Sequence, residues 1–484
     1  MRIVIFSIKT YDYEVLNIGL ASLASMVKKS GHEIKLENLP HKGADRAQIA
    51  FKVISDFHPD IIGFSIMCDN YKKSYDIARE IKNKFRLPIV FGGAQVYYLR
   101  DEILSKNDFI DYAFCGETEK TFPKFLDLFH QKQFEDINGL IYRDGGKIKF
   151  NGKGDVISNL DLLSFPDFTA YGVSEIKEYY LMTSRGCPFH CFFCNPFMGG
   201  KWRGHSPDYV VEELKQAKKI YKIKEFIVVE PVFNYDIQRV EEICDKLIEQ
   251  KLDLKWRIGS GLRADRITDR MIKKMKAAGC YYIYMGVESL VPEVFENADK
   301  KEALEEIYKA SKIVKNNGLK LGGAFIIGLP GDNLKNTIKS FELSRKLKFD
   351  ITNWSFLIPY PNTKAYTWVQ DNAANIYSSY EEAGQLYDGL NFSEFNIPFD
   401  TKEYPLDERI QARKIIMWKQ KNYPINWKES NLKKMIIILK GVLKYDKKYI
   451  FSHLKNILRL IIKNIFYFNK PAENSKNLKY DEKL

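Results

Sequence analysis

The chain has 484 residues, 45% of them hydrophobic and 28% charged, and a formal net charge of +13. This length exceeds one ordinary core, and the apolar content suffices for a globular protein of two or three domains. Residues 431–470 hold ten Lys or Arg against one acid, so this segment carries +9 and leaves only +4 for the rest. The positive charge is therefore concentrated in a basic tail. Because no recognisable nucleic-acid-binding module accompanies it, this charge does not indicate nucleic-acid binding.

The cysteines and the N-terminus indicate the compartment. Residues 1–6 are too short an apolar run for a signal peptide, and no run of eighteen uncharged apolar residues occurs. Of the seven cysteines, three are clustered and four are scattered, which fits a reducing compartment. We expect a cytoplasmic protein and assign the scattered cysteines to the core: Cys68, Cys115, Cys244 and Cys280.

The first 130 residues alternate short apolar runs with helical patterns. The runs lie at 3–8, 34–37, 61–66, 89–91 and 112–114. This alternation predicts a doubly wound, Rossmann-like parallel sheet of about five strands, with its ligand beyond the carboxyl ends of the strands. The candidate residues there are Asn17, Gly19, Ser65, Gly92, Gly93, Gly116 and Glu117. Paired glycines permit close approach of a flat or phosphate-bearing ligand, although by themselves they more often form simple turns.

Strand and helix patterns then resume after a predicted hairpin around Asp144-Gly145-Gly146 and a linker at 159–171. Six further strands are predicted near 179–184, 226–230, 255–259, 281–287, 321–327 and 351–357. Six such units predict a partial (β/α)6 barrel of the TIM type, with its chemistry at the carboxyl ends of the strands.

Three cysteines follow the first of these strands within eight residues: Cys187, Cys191 and Cys194. Gly186 and Pro188 supply the unusual backbone dihedral angles that a tight ligand loop needs. Three thiolates without a fourth leave one metal corner open, which favours an open-site iron-sulfur cluster. Two alternatives remain at this point, a zinc site completed by His190 and three buried cysteines without a chemical role.

The loop resembles the signature of the radical S-adenosylmethionine superfamily, CxxxCxxC with an aromatic residue, here Phe193, before the last cysteine. The resemblance implies a [4Fe-4S] cluster held by the three cysteines, with S-adenosylmethionine on the fourth iron. It implies that one electron cleaves S-adenosylmethionine to a deoxyadenosyl radical, which takes hydrogen from an unreactive carbon. An external donor such as flavodoxin or ferredoxin would supply that electron.

Family-like segments follow the later strands in order, and the resemblance implies S-adenosylmethionine contacts for them. Gly286, Glu288 and Ser289 match the Gly-x-Glu-Ser pattern for the methionine and ribose parts, and Gly328 begins the Gly-Leu-Pro-Gly loop near adenine. Glu230 stands where relatives often have two aspartates. Arg263 is a candidate for the cofactor carboxylate or a substrate acid. No catalytic residue is assigned.

Residues 1–130 resemble the cobalamin-binding domain that precedes many radical S-adenosylmethionine modules. Asn-Ile-Gly-Leu, Gly-Gly and Gly-Glu-Thr-Glu occur in the family's order, so the seven candidates above become expected cobalamin contacts. The Asp-x-His-x-x-Gly motif of the mutases is absent, because the segment from His41 to Gly43 has neither its aspartate nor its spacing. A cobalt ligand from that motif is therefore not expected.

The two resemblances together imply a cobalamin-dependent methyltransferase acting on an unactivated carbon. Oxidation, cyclisation or rearrangement without methyl transfer is the alternative within the class. Methylthiotransferases are disfavoured because their additional upstream cysteine triad is missing. A zinc-stabilised, non-enzymatic protein at a membrane surface is the alternative from another class.

The predicted domain order includes a helical C-terminal region. We expect a cobalamin-binding-like domain at 1–135, a hairpin and linker at 136–175, the barrel at 176–365, a substrate-covering region at 366–430, basic amphipathic helices at 431–470 and a disordered tail at 471–484. The apolar stripe within 454–465 fits two arrangements equally, a helix docked on the protein and one on the inner membrane surface. The second would admit a lipid-like substrate instead of another small molecule.

Overall fold

The computed structural model describes residues 1–9, 16–40, 45–67, 70–194, 200–360, 362–374 and 399–422. The chain divides into two compact units, Met1–Arg409 and Ile410–Leu484. The two large sheets and all the sites described below lie in the first unit.

The first sheet contains strands β1 Arg2–Ile8, β2 Glu33–Leu39, β3 Ile61–Ser65, β4 Ile89–Gly92, β5 Tyr112–Phe114, β6 Leu140–Asp144 and β7 Lys147–Phe150. Their order is β2-β1-β3-β4-β5-β6-β7, and β1 to β5 are parallel. Successive residues of β1 belong to opposite cores, since Val4 and Phe6 pack on one face and Ile3 and Ile5 on the other. Both faces are therefore covered, and the predicted doubly wound sheet is confirmed.

Helices cover this sheet: α1 Ile18–Lys29, α2 Arg46–Phe57, α3 Tyr71–Phe85, α4 Ala94–Leu99, α5 Glu102–Ser105 and α6 Thr121–Asp127. The side chain of Asn17 caps α1 by accepting a hydrogen bond from the Leu20 backbone N–H at 3.1 Å. The cap begins the helix directly beyond the carboxyl end of β1. Two 3-10 helices, Leu160–Leu162 and Phe168–Tyr171, form the linker that follows.

The hairpin of β6 and β7 belongs to the first sheet, so this sheet extends beyond residue 135. β6 pairs antiparallel with β5, and Phe114 lies opposite Leu140. The hairpin thereby covers the edge of β5, which would otherwise present unpaired backbone groups. The turn residues were predicted correctly, but their spacing carries no information about the strand with which the hairpin pairs.

The second sheet contains six parallel strands: β8 Glu178–Leu181, β11 Glu225–Val228, β12 Lys255–Ile258, β13 Cys280–Glu288, β14 Lys320–Ile327 and β15 Ile351–Phe356. They lie side by side in chain order. Between β8 and β11 a two-residue ribbon forms from β9 Ser184–Arg185 and β10 Arg203–Gly204. The predicted partial barrel of six strands is confirmed.

The barrel helices are α7 Pro207–Tyr221, α8 Ile237–Glu249, α9 Asp269–Ala277, α10 Pro292–Asn297, α11 Leu304–Asn316, α12 Leu334–Lys346 and α13 Lys364–Asn372, with 3-10 helices Phe233–Tyr235 and Ala264–Arg266. On the helix side of the sheet, Phe325 stacks on Trp354 at 4.3 Å between ring centroids. Phe341 of α12 packs against the same tryptophan. The helices thus bury the outer face and leave the strand ends accessible for chemistry.

Few elements follow the barrel in the described part of the chain: β16 Ala373–Ala374, which pairs with β17 Asp400–Thr401, and the helix Leu406–Asn422. The predicted amphipathic helices at 431–470 and the tail at 471–484 lie outside the described residues, as does much of the predicted covering region. Among the helices that are described, none has the length and apolar character needed to cross a membrane.

Candidate active site between two sheets

The cysteine loop begins and ends at the ribbon of β9 and β10. Arg185 and Arg203 are paired across this ribbon, so the two ends of the loop are held together. Cys187 and Cys191 are half-buried and Cys194 is exposed. The ribbon thus projects all three thiols from one base at the end of the first barrel strand.

The three thiols lie on one short loop, and their surroundings disfavour the thiolate form. Burial raises the pKa of Cys191 to about 11. Desolvation, followed by the charges of Cys191 and Cys187, raises the pKa of Cys194 to about 12. Such thiols carry protons near neutral pH, so a metal has to displace those protons on binding. Within the described residues no three His, Cys, Asp or Glu side chains converge on a single metal ion. The donor set, three free thiols on one loop, suits an iron-sulfur cluster.

Arg263 packs against the cysteine loop. Its guanidinium lies 3.6 Å from the ring centroid of Phe189, inside the cysteine loop. It also donates to both carboxylate oxygens of Asp265 at 3.0 Å and to the Lys300 carbonyl at 2.8 Å. Sequence reasoning proposed a cofactor or substrate acid as its partner. In the structure the Arg263 guanidinium is bound by groups of the chain itself, and Arg263 positions the cysteine loop.

The carboxyl end of β13 brings an ion cluster next to Arg263, whose guanidinium lies 3.6 Å from the Glu302 carboxylate. Glu288 is buried and has a left-handed backbone, with φ of +63°. The ammonium of Lys300 lies 3.5 Å from its carboxylate and 2.6 Å from that of Glu302, and it donates to the Gly286 carbonyl. Burial alone would lower the pKa of Lys300, but the two carboxylates raise it, so the ammonium stays charged.

Lys300 was missed by sequence reasoning. The available signal was the charged run Asp299-Lys300-Lys301-Glu302 shortly after α10, because charges in a loop at a barrel strand end can belong to a site.

Ser289, which follows Glu288 in the chain, uses its hydroxyl to accept from the Val291 backbone N–H at 3.2 Å. Its predicted contact with the cofactor remains a prediction.

Gly328 is held by two neighbours at the end of β14. It has φ of +94°, and its N–H donates to the Asp332 carboxylate at 3.0 Å. A Cβ atom at this position would lie 3.1 Å from Cδ of Arg409. The loop therefore requires glycine for backbone reasons, and the predicted place of adenine beside it remains a prediction.

Glu230 has a structural partner set that differs from its predicted cofactor contact. Its carboxylate accepts from the backbone N–H groups of Thr183 and Ser184 at 2.5 and 3.0 Å, and from their hydroxyls at 3.1 and 2.6 Å. The residue is only 2% exposed. Four accepted hydrogen bonds saturate a carboxylate, so Glu230 has no free acceptor position for a cofactor. It fixes the segment that leads into the cysteine loop.

Replacing Glu230 by alanine should destabilise the barrel. Two backbone N–H groups would stay buried without an acceptor, so we expect the free energy of unfolding to fall by about 3 kcal/mol. Urea titration measures this loss, and iron content after reconstitution should fall with it. The matched control is Glu178→Ala, which removes an exposed partner of Arg257 and should change stability by less than about 1 kcal/mol. Equal urea midpoints for Glu230→Ala and wild type would contradict this role.

All seven residues predicted at the first sheet line one cavity of about 280 Å³: Asn17, Gly19, Ser65, Gly92, Gly93, Gly116 and Glu117. A Cβ atom at Gly92 would meet nothing within 4 Å, so the cavity is open above this backbone. Gly93 has φ of +102°, and a Cβ atom there would lie 2.5 Å from the Ile66 carbonyl oxygen. The glycines thus form a cradle that fits a bulky, flat ligand. Their predicted contacts with cobalamin remain predictions.

The barrel contributes to the same cavity through Met182 and Arg185. Arg185 pairs with Glu119 at 2.6 Å, and Arg203 contacts both carboxylate oxygens of Glu117 at 2.7 and 2.9 Å. Burial alone would raise the pKa of Glu119, but Arg185 lowers it below its ordinary value. Glu117 therefore lines the cavity, but its carboxylate is already paired with Arg203. No histidine is among the described residues that line this cavity.

The first sheet has a cradle at its carboxyl edge, and the open barrel that follows has three thiols at the end of its first strand. This combination defines an enzyme that carries two cofactor sites. The model of the B12 binding domain matches residues 5–126, and that of the Radical SAM superfamily matches residues 181–343. The chain belongs to the radical S-adenosylmethionine superfamily, in the group with an N-terminal B12-binding domain. Its cofactors are a [4Fe-4S] cluster, S-adenosylmethionine and cobalamin.

Three curated relatives illustrate the range of this group. An uncharacterised methyltransferase of Pyrococcus horikoshii is 30% identical in an alignment of 364 positions, which covers 73% of this chain and 78% of the relative. The anaerobic magnesium-protoporphyrin IX monomethyl ester cyclase of Rubrivivax gelatinosus is 22% identical, with coverage of 75% and 70%. The cytidylyl-2-hydroxyethylphosphonate methyltransferase of Streptomyces wedmorensis is 26% identical, with coverage of 69% and 73%.

A solved structure supports the fold. The radical S-adenosylmethionine methyltransferase TsrM of Kitasatospora setae, determined with cobalamin and a [4Fe-4S] cluster bound, superposes with a TM-score of 0.68 at 13% identity. The alignment covers 96% of this chain and 99% of that one. Superfamily membership makes the protein an enzyme and favours the cluster over a zinc site completed by His190, and it disfavours a zinc-stabilised binding protein.

Proposed function

We propose that the protein transfers a methyl group to an unactivated carbon of a small molecule, with cobalamin as the methyl carrier. The observation that carries the proposal is the adjacency of the two cofactor sites. Arg185 lines the cavity of the first sheet and stands two residues before Cys187 on the cysteine loop. One side chain therefore connects the cradle with the metal-binding loop.

When bound, the cluster and S-adenosylmethionine supply a radical that activates carbon, and cobalamin supplies the methyl group. The chain's own residues bind and orient these groups. Cys187, Cys191 and Cys194 hold the cluster. The buried carboxylate of Glu288 suits the amine of an amino-acid group, and Lys300, which also pairs with Glu302, holds that carboxylate in place.

The relatives favour methyl transfer because two of the three described above are methyltransferases by name. The third is a cyclase, which makes cyclisation without methyl transfer the specific alternative. Radical S-adenosylmethionine enzymes take their electron from an external donor, and we propose a small one-electron carrier protein here. Membrane contact through 431–470 stays a proposal on residues outside the described part of the chain.

The test uses full-length protein reconstituted without oxygen with iron, sulfide and hydroxocobalamin. The protein is supplied with a reductant, S-adenosylmethionine carrying a ¹³C-labelled methyl group, and a small-molecule extract. Deoxyadenosine release together with a product that contains the label on carbon supports the proposal. Deoxyadenosine release with only unlabelled products would contradict methyl transfer and favour cyclisation or oxidation.

A further inference from the structure

Two arginines at the base of the cysteine loop reach into the first domain. Arg185 and Arg203 are paired across the ribbon of β9 and β10, so both guanidinium groups leave the same short element. Their partners, Glu119 and Glu117, lie in the Gly-Glu-Thr-Glu segment that follows β5. We call these four residues the arginine clamp.

The clamp is buried, and each of its two carboxylates accepts from a guanidinium. The side chains of Arg185 and Glu119 are 10% and 8% exposed, and those of Arg203 and Glu117 are 4% and 11% exposed. Glu119 also accepts from the Ser22 hydroxyl at 3.2 Å. Arg203 donates to the Ile157 carbonyl at 2.6 Å. The clamp therefore ties the ribbon to α1, to the segment after β5 and to the linker.

Buried charges act together because an unpaired one is costly. Removing one partner of a buried ion pair typically destabilises a protein by several kcal/mol, since the other charge stays without compensation. The four clamp residues are thus stable only when the loop base and the Gly-Glu-Thr-Glu segment are both in place. That segment lines the cavity through Gly116, Glu117, Thr118 and Glu119. The clamp consequently connects the base of the cysteine loop to the wall of the cavity.

We propose that the arginine clamp couples the binding of cobalamin in the first domain to the assembly of the cluster on the cysteine loop. The proposal rests on the cofactors of the proposed function and adds positioning residues to it. Coupling between two sites is reciprocal. The bound cluster therefore raises the affinity for cobalamin by the same factor by which bound cobalamin raises the affinity of the cysteine loop for the cluster.

The test is a cycle of four proteins that compares the clamp with the cluster. Wild type and the double variant Arg185→Met/Glu119→Gln are each prepared with a reconstituted cluster and as the cluster-free triple variant in which all three loop cysteines are alanine. The double variant removes both charges of one pair together, so neither is left buried alone. Absorbance titration with hydroxocobalamin then gives four dissociation constants.

We expect the cluster to tighten hydroxocobalamin binding about tenfold in wild type and less than about twofold without the clamp pair. Purely structural damage would weaken binding equally with and without the cluster, leaving the ratio at its wild-type value. That outcome, or a wild-type ratio of one, would overturn the coupling while the proposed function stands. Failure of wild type to bind hydroxocobalamin at all would overturn both.

Lys28→Met provides the matched control. The Lys28 ammonium pairs with Asp167 of the linker at 2.7 Å and donates to the Thr169 hydroxyl at 3.1 Å, so its partners belong to neither the ribbon nor the cavity segment. Its loss should leave the coupling ratio at the wild-type value. A ratio that falls as far in Lys28→Met as in the clamp variant would contradict a specific role of the clamp.

Discussion

Replacing Cys187, Cys191 or Cys194 by alanine should remove bound iron and lower deoxyadenosine release from S-adenosylmethionine by at least about 10³-fold. The three thiols stand on one loop whose base is fixed by the ribbon, and loss of one leaves two donors for a cluster that needs three. Iron analysis and chromatographic detection of deoxyadenosine after anaerobic reconstitution measure the effect.

Two controls give this result its meaning. Cys244→Ala alters a buried cysteine of α8 that is remote in sequence from the loop, and we expect full iron content. His190→Ala removes the exposed histidine that would complete a zinc site, and it should also keep its iron. Loss of metal in His190→Ala, or a full cluster in any of the three cysteine variants, would contradict the assigned ligands.

Replacing Gly92 by leucine separates cobalamin binding from radical formation. Gly92 ends β4 on the wall of the cavity, and a side chain there extends into open space instead of clashing with the protein. We expect the variant to fold, to bind hydroxocobalamin at least about 100-fold more weakly and to lose methyl transfer. It should retain deoxyadenosine release, because that chemistry belongs to the barrel.

Gly92→Ala serves as the graded control for this prediction. A single methyl group fills little of a cavity of about 280 Å³, so binding should weaken much less than with leucine. Cobalt content and absorbance spectra measure binding, while deoxyadenosine is measured in the same samples. Wild-type cobalt content in Gly92→Leu would show that the ligand does not occupy this cavity.

Local patterns predicted most of the framework. The apolar runs of β1 and β13 were located because strand length and alternation are properties of a few consecutive residues. The three cysteines were grouped correctly because their spacing places them on one loop. The glycines at the first sheet were grouped for a similar reason, since parallel strands deliver their carboxyl ends to one edge.

The partners of individual charges could not be predicted in this way. Glu117 follows a strand as a ligand-binding carboxylate would, but its partner is Arg203, 86 residues further along the chain. Glu230 accepts from Thr183, 47 residues earlier. A carboxylate at a strand end has the same sequence pattern whether it faces a cofactor or a backbone N–H group.

The sequence by itself therefore determined the two α/β modules, the loop of three thiols and the sheet edge at which the cavity of the first domain lies. Only the tertiary structure decided that the hairpin extends the first sheet, that Lys300 joins Glu288 and that the arginine clamp spans the two modules. Periodicity and spacing are local properties of the chain. The partner of a buried charge is selected by the packing of segments that are distant in sequence, because burial penalises every arrangement that leaves the charge unpaired.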